Sequence, residues 1–452
     1  MAVNMLTFKG GIHPDPAKSL TASVPIETIA PPEQVVIPLS MHIGAAAKPL
    51  VKKGEHVLLG QKIGEHCGLI SSSIHASVSG TVTAIERRYM PAGNLIDSIV
   101  IKNDGLDTPA ENTTTAPAED LGSEEIRKLL QEKGIVGMGG ATFPTHVKYM
   151  PQKSGKQIDT VILNGIECEP YITADYRVII ENAPDIIRGL KLFLKAANAQ
   201  KGVIAIEDDK TEAINMWQAL LRDEPTLSLA ICTAKYPQGS EKQLIYAVTG
   251  RVVPVRALPG DVGVIVDNVA TATNAAKAIA DGLPLYERVV TVSGNAINKP
   301  GNYRTRIGTL FDHLVKEGAH GFKSDPVRIL AGGPMMGIAL RSLEYPVTKG
   351  CGGLLLFDKT SPLAYPCPEE MCVRCGKCVD VCPMGLQPTT IVKAVKRRAW
   401  HGAVGADIGS CVECGCCSFV CPAHIPLVQY IRMGKQFIAT GGNGAHNPFY
   451  QI

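Results

Sequence analysis

Nowhere in the 452 residues is there a run approaching the ~18 consecutive apolar positions that a membrane-crossing helix needs. The opening MAVNMLTFKGGIHPDP also lacks the charged-then-apolar layout of an export signal. The expectation is a chain neither integral to a membrane nor exported. Charge of one sign is missing too: 45 Lys and Arg against 42 Asp and Glu leave a net +3. That is too little for an overall field able to gather nucleic acid or an anionic membrane. Aromatic residues are scarce at 5%, but hydrophobic residues reach 45%, enough for sizeable cores. Gly and Pro, at 45 and 31, stay below the ~25–30% expected of a disordered chain. At roughly 100–200 residues per domain, the length points to two to four domains.

Cysteine is abundant. Most of the fourteen crowd into residues 351–421 at regular spacing, in a long chain without an export signal, which reads as metal ligation and not as a disulfide scaffold. The pattern C-x2-C-x2-C-x3-C-P occurs twice, as Cys372, Cys375, Cys378, Cys382 and as Cys411, Cys414, Cys417, Cys421, with every position repeated at an offset of 39 residues. Such spacing lets backbone turns aim three thiolates at one face of a 4Fe–4S cubane, while the fourth Cys of each run ordinarily ligates the other cluster. The expected sets are therefore Cys372, Cys375, Cys378 with Cys421, and Cys411, Cys414, Cys417 with Cys382. A pair of four-cysteine zinc sites is the competing reading, and the doubled eight-cysteine pattern disfavours it. Cys416, Cys351 and Cys367 fall outside the spacing and read as free thiols.

Upstream, short alternating runs (VVIPLS, HVLLGQKI, GTVTAIE, SIVIK) within residues 30–102 predict a compact β module. It resembles the barrel-sandwich fold of lipoyl and biotinyl domains, without the modified lysine in SSSIHAS. The polar stretch DTPAENTTTAPAED reads as a linker. Helical patterns (SEEIRKLLQEKG, PDIIRGLKLFLKAAN) then alternate with strands (TVILNG, GVIAIED), the mark of an α/β layer structure. Residues 285–350 predict strands and one amphipathic helix, TLFDHLVKEG, resembling a β-grasp insert. A basic helix, TTIVKAVKRRAWHGA, lies between the cysteine runs and could face an acidic partner.

Clusters move single electrons and need a donor. The segment GIVGMGGATFPTHVK at 134–148 is a glycine-rich turn whose backbone could approach a phosphate or a flavin ring. With NGIECEPYITADYR at 164–177, YPQGSEKQL at 236–244 and DNVATATN at 267–274, it resembles in order and spacing the flavin-bearing, NADH-oxidising subunit of respiratory complex I. The resemblance implies FMN and NADH contacts from Gly137, Gly139, Gly140, Phe143, Lys148, Asn164, Glu167, Glu169, Tyr236, Gly239, Glu241, Asn268 and Thr271. Lys148 is expected at the FMN phosphate, and Glu167 and Glu169 around the flavin and the NADH hydroxyls.

The whole arrangement, from TFKGGIHP to just beyond Cys421, is similar to the RnfC family of Rnf electron-transport complexes. That resemblance implies a multidomain α+β chain. A barrel-sandwich occupies 1–106, a linker 107–122, an α/β FMN/NADH domain 123–283, a β-grasp domain 284–360, and an α-rich ferredoxin-like domain with two 4Fe–4S clusters and a tail 361–452. It further implies a NAD:ferredoxin oxidoreductase subunit that takes electrons from NADH. No nucleic acid is expected among its partners. Integral-membrane and ferredoxin-like Rnf subunits and ferredoxin are, and they would hold the chain peripherally at the cytoplasmic face of the membrane. A soluble flavin/iron–sulfur reductase, such as a cobalamin reductase, is the alternative, and the leading β module of about 100 residues favours the Rnf reading.

Overall fold

The computed structural model describes residues 6–111, 120–152 and 154–440. Much of the expected linker (112–119) and the end of the C-terminal tail (441–452) lie outside them. Among the described residues no helix is long and apolar enough to cross a membrane.

The expected β runs become strands of two small sheets. Gln34–Pro38, Leu95–Asn103, Gly80–Tyr89 and His56–Val57 form one, in that spatial order, and Lys48–Pro49, Lys62–Glu65 and Ile74–His75 form the other. HVLLGQKI, read as one run, is divided between the two sheets. The Leu58 N–H donates to Gln61 Oε1 and the Gln61 N–H to the Leu58 carbonyl, so the chain turns at Leu58–Gln61. Period-two alternation then drives Val35, Ile37, Ile63, Ile74, Val82, Ile99 and Ile101 into a shared core. Full burial of each such side chain contributes roughly 1.5–3 kcal/mol.

Beyond the linker, four parallel strands lie in the order Leu227–Cys232, Lys201–Glu207, Thr160–Asn164, Val264–Asn268. Chain order runs outward from Thr160–Asn164 to Leu227–Cys232, and then the last strand returns to the opposite side. The direction of winding thus reverses between Thr160–Asn164 and Val264–Asn268. In open α/β sheets a crevice opens at the carboxyl ends of the strands at such a switch point. Here the strand ends Asn164 and Asn268 are register partners. Helices Ala183–Ala197 and Val269–Ala280 cover one face, so closely that a Cβ on Gly189 would meet the Ala272 carbonyl.

A six-stranded mixed sheet follows, ordered Ile26–Thr28, Gly301–Arg306, Glu287–Ser293, Gly353–Phe357, Arg328–Ala331, Ile338–Leu340. Its interior strand GLLLF is buried throughout, as a continuous apolar run demands. The edge strand Ile26–Thr28 joins from the far N-terminus, parallel to Gly301–Arg306. The expected helix in TLFDHLVKEG forms over Phe311–His313 and continues as a π-helix over Leu314–Gly318. Phe311, Leu314 and Val315 are buried with Tyr303, so packing overrides the regular helical repeat.

The C-terminal part repeats in space as it does in sequence. The four-residue helices Lys377–Asp380 and Cys416–Phe419 each follow a left-handed glycine, Gly376 and Gly415, both at φ 82°. Longer helices, Pro388–Lys396 and Leu427–Ala439, come next at the same 39-residue offset. Gly434 lets them touch, since a Cβ there would lie 2.6 Å from Val395 Cγ2. Buried Lys349 links three regions, donating to the carbonyls of Ser73 and Gly134 while Arg288 donates to its own carbonyl.

Candidate functional site

The glycine-rich turn is closed by a hydrogen bond from the Gly137 N–H to the Phe143 carbonyl at 2.9 Å. It lies over the switch point: the Met138 N–H donates to Thr271 Oγ1 at 2.9 Å, and a Cβ on Gly139 would stand 3.4 Å from Asn268 Cβ. Gly140 has φ +110°, and the direction its Cβ would take is open. Gly139 and Gly140 are exposed while Met138 beside them is buried. The turn is anchored on one side and open on the other, a cradle at the N-terminus of Val269–Ala280. The positive end of the helix dipole there favours an anionic group.

The other predicted residues form a connected wall. Asn268 caps its helix, accepting from the Ala270 and Thr271 N–H groups, and its Nδ2 donates to Asp175 Oδ2 at 2.5 Å. Asn164 Nδ2 donates to the Gly239 carbonyl at 2.8 Å, and its Oδ1 accepts from the Ile166 N–H. Only glycine fits at 239, because a Cβ would sit 2.7 Å from the Ile166 carbonyl. Glu167 is buried and accepts from the Asp175 and Tyr176 N–H groups. Phe143 is half-buried behind the turn.

Three predicted residues turn elsewhere. Lys148 donates to the Val266 carbonyl at 2.6 Å, lies 3.4 Å from Asp267 and reaches 3.9 Å from Glu241 at the head of helix Glu241–Thr249. Glu169 accepts from the Met335 and Met336 N–H groups at 3.1 and 2.8 Å, linking the α/β region to a loop of the mixed sheet. Tyr236 is buried and donates its hydroxyl to the Cys414 carbonyl at 2.6 Å, which joins the pocket to the second cysteine run.

Burial governs the charges here. Glu167 is pushed up to about 7 by burial, offset in part by Lys18, and partly buried Glu169 to about 6 for the same first reason. Lys18 was not visible as a site residue in the sequence. Its Nζ donates to the Glu167 and Ile172 carbonyls, and its charge opposes the rise of Glu167, Glu169, Asp175 and Glu207 alike. Asp267, fully buried between Lys148 and the Tyr149 hydroxyl, was missed too. Both contacts span more than a hundred residues, and no local pattern announces them.

Because Glu167 rises from 4.5 to about 7, the folded chain holds that proton more tightly than the unfolded one. Its contribution to stability is then greatest below about pH 4.5 and declines as pH climbs to about 7. Gln at 167 does not titrate and keeps one acceptor oxygen for these N–H groups, so what it loses is one bond at every pH. Glu167→Gln is therefore expected to gain melting temperature relative to the parent between pH 5 and pH 8. A difference independent of pH would refute the assignment.

The cysteines fall into two environments. Cys372, Cys375, Cys378 and Cys421 line one cavity of about 230 Å³, with Arg374 and Lys393 at its wall. Cys372 and Cys375 are exposed. Cys414 and Cys417 are buried, and Cys382 lies within electrostatic reach of both. Backbone N–H groups of Leu386 and Glu413 donate to the Cys382 and Cys411 sulfurs, which suits thiolate ligands. A tetrahedral zinc with bonds of ~2.3 Å draws its thiolates to within about 4 Å of one another. Among the described residues no three cysteine sulfurs lie within 4.8 Å of one another. On the basic helix, Lys396 is occupied by Glu369 and by the Tyr430 ring, and Lys393 is the cation that opens on the cavity.

A glycine turn open at a helix N-terminus, bonded through Tyr236 to two runs of four cysteines, is the arrangement a flavin/iron–sulfur electron-transfer protein requires. Comparison with known proteins agrees. Residues 130–277 match the Nuo51 FMN-binding domain, 6–106 the RnfC barrel sandwich hybrid domain, 289–339 the SLBB domain and 371–425 the 4Fe–4S dicluster domain. The chain is 46% identical to the C subunit of the Na(+)-translocating ferredoxin:NAD(+) oxidoreductase complex of Acetobacterium woodii, over 88% of this chain and 90% of that one. It is 42% identical to the proton-translocating counterpart of Clostridium ljungdahlii (85% and 83% covered) and 41% to the C subunit of the ion-translocating oxidoreductase complex of Rhodobacter capsulatus (95% and 82%). Among solved structures, an NAD+-reducing NiFe hydrogenase in the air-oxidized state aligns at 19% identity and TM-score 0.49, covering 74% of this chain and 57% of that one. The chain belongs to the RnfC family, the C subunits of ion-translocating ferredoxin:NAD oxidoreductase (Rnf) complexes.

Proposed function

We propose that this chain is the electron-entry subunit of such a complex, exchanging electrons between NADH and ferredoxin or partner subunits through FMN and two 4Fe–4S clusters. Bound FMN supplies the two-electron to one-electron conversion that a cluster cannot perform with a hydride donor. The observation that carries the reading is the junction at Tyr236, which lies in the pocket-forming 236–244 segment and bonds the backbone of Cys414.

In this reading, Gly137, Gly139 and Gly140 receive the FMN phosphate and ring edge, with Lys148 as the nearby cation. Asn164, Glu167, Gly239, Glu241, Asn268 and Thr271 form the wall, and Phe143, Glu169 and Tyr236 complete it toward the nucleotide and the clusters. Cys372, Cys375, Cys378 and Cys421 hold the cluster that opens to the surface. Cys382, Cys411, Cys414 and Cys417 hold the one beside Tyr236, which makes the latter the first acceptor and the former the exit. The division into 1–106, 107–122, 123–283, 284–360 and 361–452 and the β-grasp description of the mixed sheet belong to the same reading. Integral-membrane and ferredoxin-like subunits would hold the chain peripherally at the cytoplasmic face of the membrane.

Anaerobic purification followed by NADH titration tests this. About eight iron and eight acid-labile sulfide per chain are expected, with one FMN and bleaching of both flavin and cluster absorption by NADH. Zinc in place of iron, iron near four, or flavin unresponsive to NADH would overturn it.

A further inference from the structure

The N-terminal segment belongs to no sheet or helix between Leu6 and Pro16, yet it is bonded along its length to the two regions that must exchange electrons. Leu6 bridges to Cys232, and the Phe8 carbonyl accepts from Lys235 Nζ at 2.8 Å. Ile12 and Tyr236 exchange both backbone hydrogen bonds, at 2.8 and 2.9 Å. The Tyr171 N–H donates to the Pro16 carbonyl, and Lys18 fastens the Glu167 and Ile172 carbonyls. Between these anchors the Gly11 N–H reaches across to the Val381 carbonyl at 2.9 Å, next to Cys382. Ile12 and Tyr236 are buried in one apolar cluster with Cys414 and Cys416.

Gly10 and Gly11 occupy the gap between the two regions, and both adopt left-handed backbone (φ 85° and 79°). A Cβ on Gly10 would stand 3.0 Å from the Cys382 carbonyl oxygen. One on Gly11 would stand 2.6 Å from the Tyr236 carbonyl oxygen. The two missing side chains thus face opposite walls, one belonging to a cluster ligand and the other to the flavin domain. The remaining side-chain hydrogen bonds across this boundary are few, chiefly Tyr236 to Cys414 and Gln243 Nε2 to the Pro383 carbonyl.

We propose that residues 10–18 act as a positioning strap that sets the spacing between the flavin pocket and the cluster held by Cys382, Cys411, Cys414 and Cys417, with Gly10 and Gly11 permitting the close approach. The proposal rests on the flavin and cluster reading above. It involves no bond change: with both groups bound, an electron lost by the flavin would be gained by the cluster, and the residues of the strap would set only the distance between them. Electron tunnelling decays exponentially with distance, so a wedge of a few tenths of an ångström to one ångström matters to this step and not to hydride delivery.

The test uses the full chain carrying FMN and iron, as Gly10→Ala and Gly11→Ala, with Gly54→Ala as control. Gly54 has a comparable left-handed φ of 91° but open space around its Cβ direction, so it reports the backbone cost alone. FMN and iron content are measured first. Flavin reduction by NADH and subsequent cluster reduction are then followed separately by stopped flow, and amide exchange is read at Gly11, Ile12 and Tyr236. Both strap variants are expected to keep flavin reduction at the parent rate and to slow cluster reduction several-fold, the loss that exponential decay gives for a shift approaching one ångström. Their strap amides should exchange faster, and the control should change neither. If Gly10→Ala loses iron, Gly11→Ala decides, since its methyl meets Tyr236 and not a ligand residue. Parent-rate cluster reduction in a cofactor-replete Gly11→Ala chain would overturn the strap. A parent chain without FMN or iron would instead overturn the functional reading.

Discussion

Cys421→Ser is expected to empty the cavity lined by Cys372, Cys375 and Cys378 while leaving the cluster near Tyr236 in place. The two runs are each continuous in sequence, and a ligand set taken in sequence order would put Cys421 with Cys411, Cys414 and Cys417. In the folded chain it faces the other three. A hydroxyl is a poor replacement for a thiolate at a soft iron site, so iron should fall from about eight to about four per chain. NADH should still reduce the flavin and the remaining cluster, and transfer to an external acceptor should collapse, since the lost cluster is the one open to the surface. Iron quantification and cluster spectroscopy decide the outcome. Damage confined to the Cys411, Cys414, Cys417 set would eliminate the crossed assignment and the order of the two clusters with it.

Lys148→Ala should lower FMN occupancy several-fold and also weaken the fold, and the two effects can be separated. The ammonium bonds the Val266 carbonyl and faces Asp267, whose side chain is wholly buried. Truncation leaves that carboxylate with only the Tyr149 hydroxyl. Orphaning one member of a buried pair costs ~3–5 kcal/mol, and the cost here should be smaller because the Lys148 side chain is 22% exposed. Adding Asp267→Asn removes the stranded charge, so the double variant should recover stability. Flavin occupancy should stay low if the cation also faces the phosphate, and iron content should be unaffected throughout. Recovery of both stability and FMN in the double variant would mean that Lys148 serves only to neutralise Asp267.

The motifs that nominate the site could be read before any coordinates because they are local. The eight cysteines declare themselves by spacing, since three thiolates aimed at one cubane must come from a short loop. The glycine turn at 137–140 closes through Gly137 and Phe143, and Asn268 caps its own helix, so their backbone needs are met within a few residues. Strands with period-two alternation, as in residues 34–103, were readable for the same reason. The local pattern did not show what packing decided: HVLLGQKI is split between two sheets, and the helix in TLFDHLVKEG widens to a π-helix beside Tyr303.

The sequence by itself thus determined the cofactor chemistry, the order of the modules and the absence of any run able to cross a membrane as a helix. Only the tertiary structure decided which charges share an interior and what holds the glycine turn's region against the cysteines. Lys18 beneath Glu167, Asp267 behind Lys148, Glu169 turned to Met335 and Met336, and Gly10–Gly11 against Tyr236 and Cys382 all join residues far apart in the chain. Local propensity and spacing act over a few residues. Desolvation, ion pairing and close approach act through space, and become visible only once the chain has closed on itself.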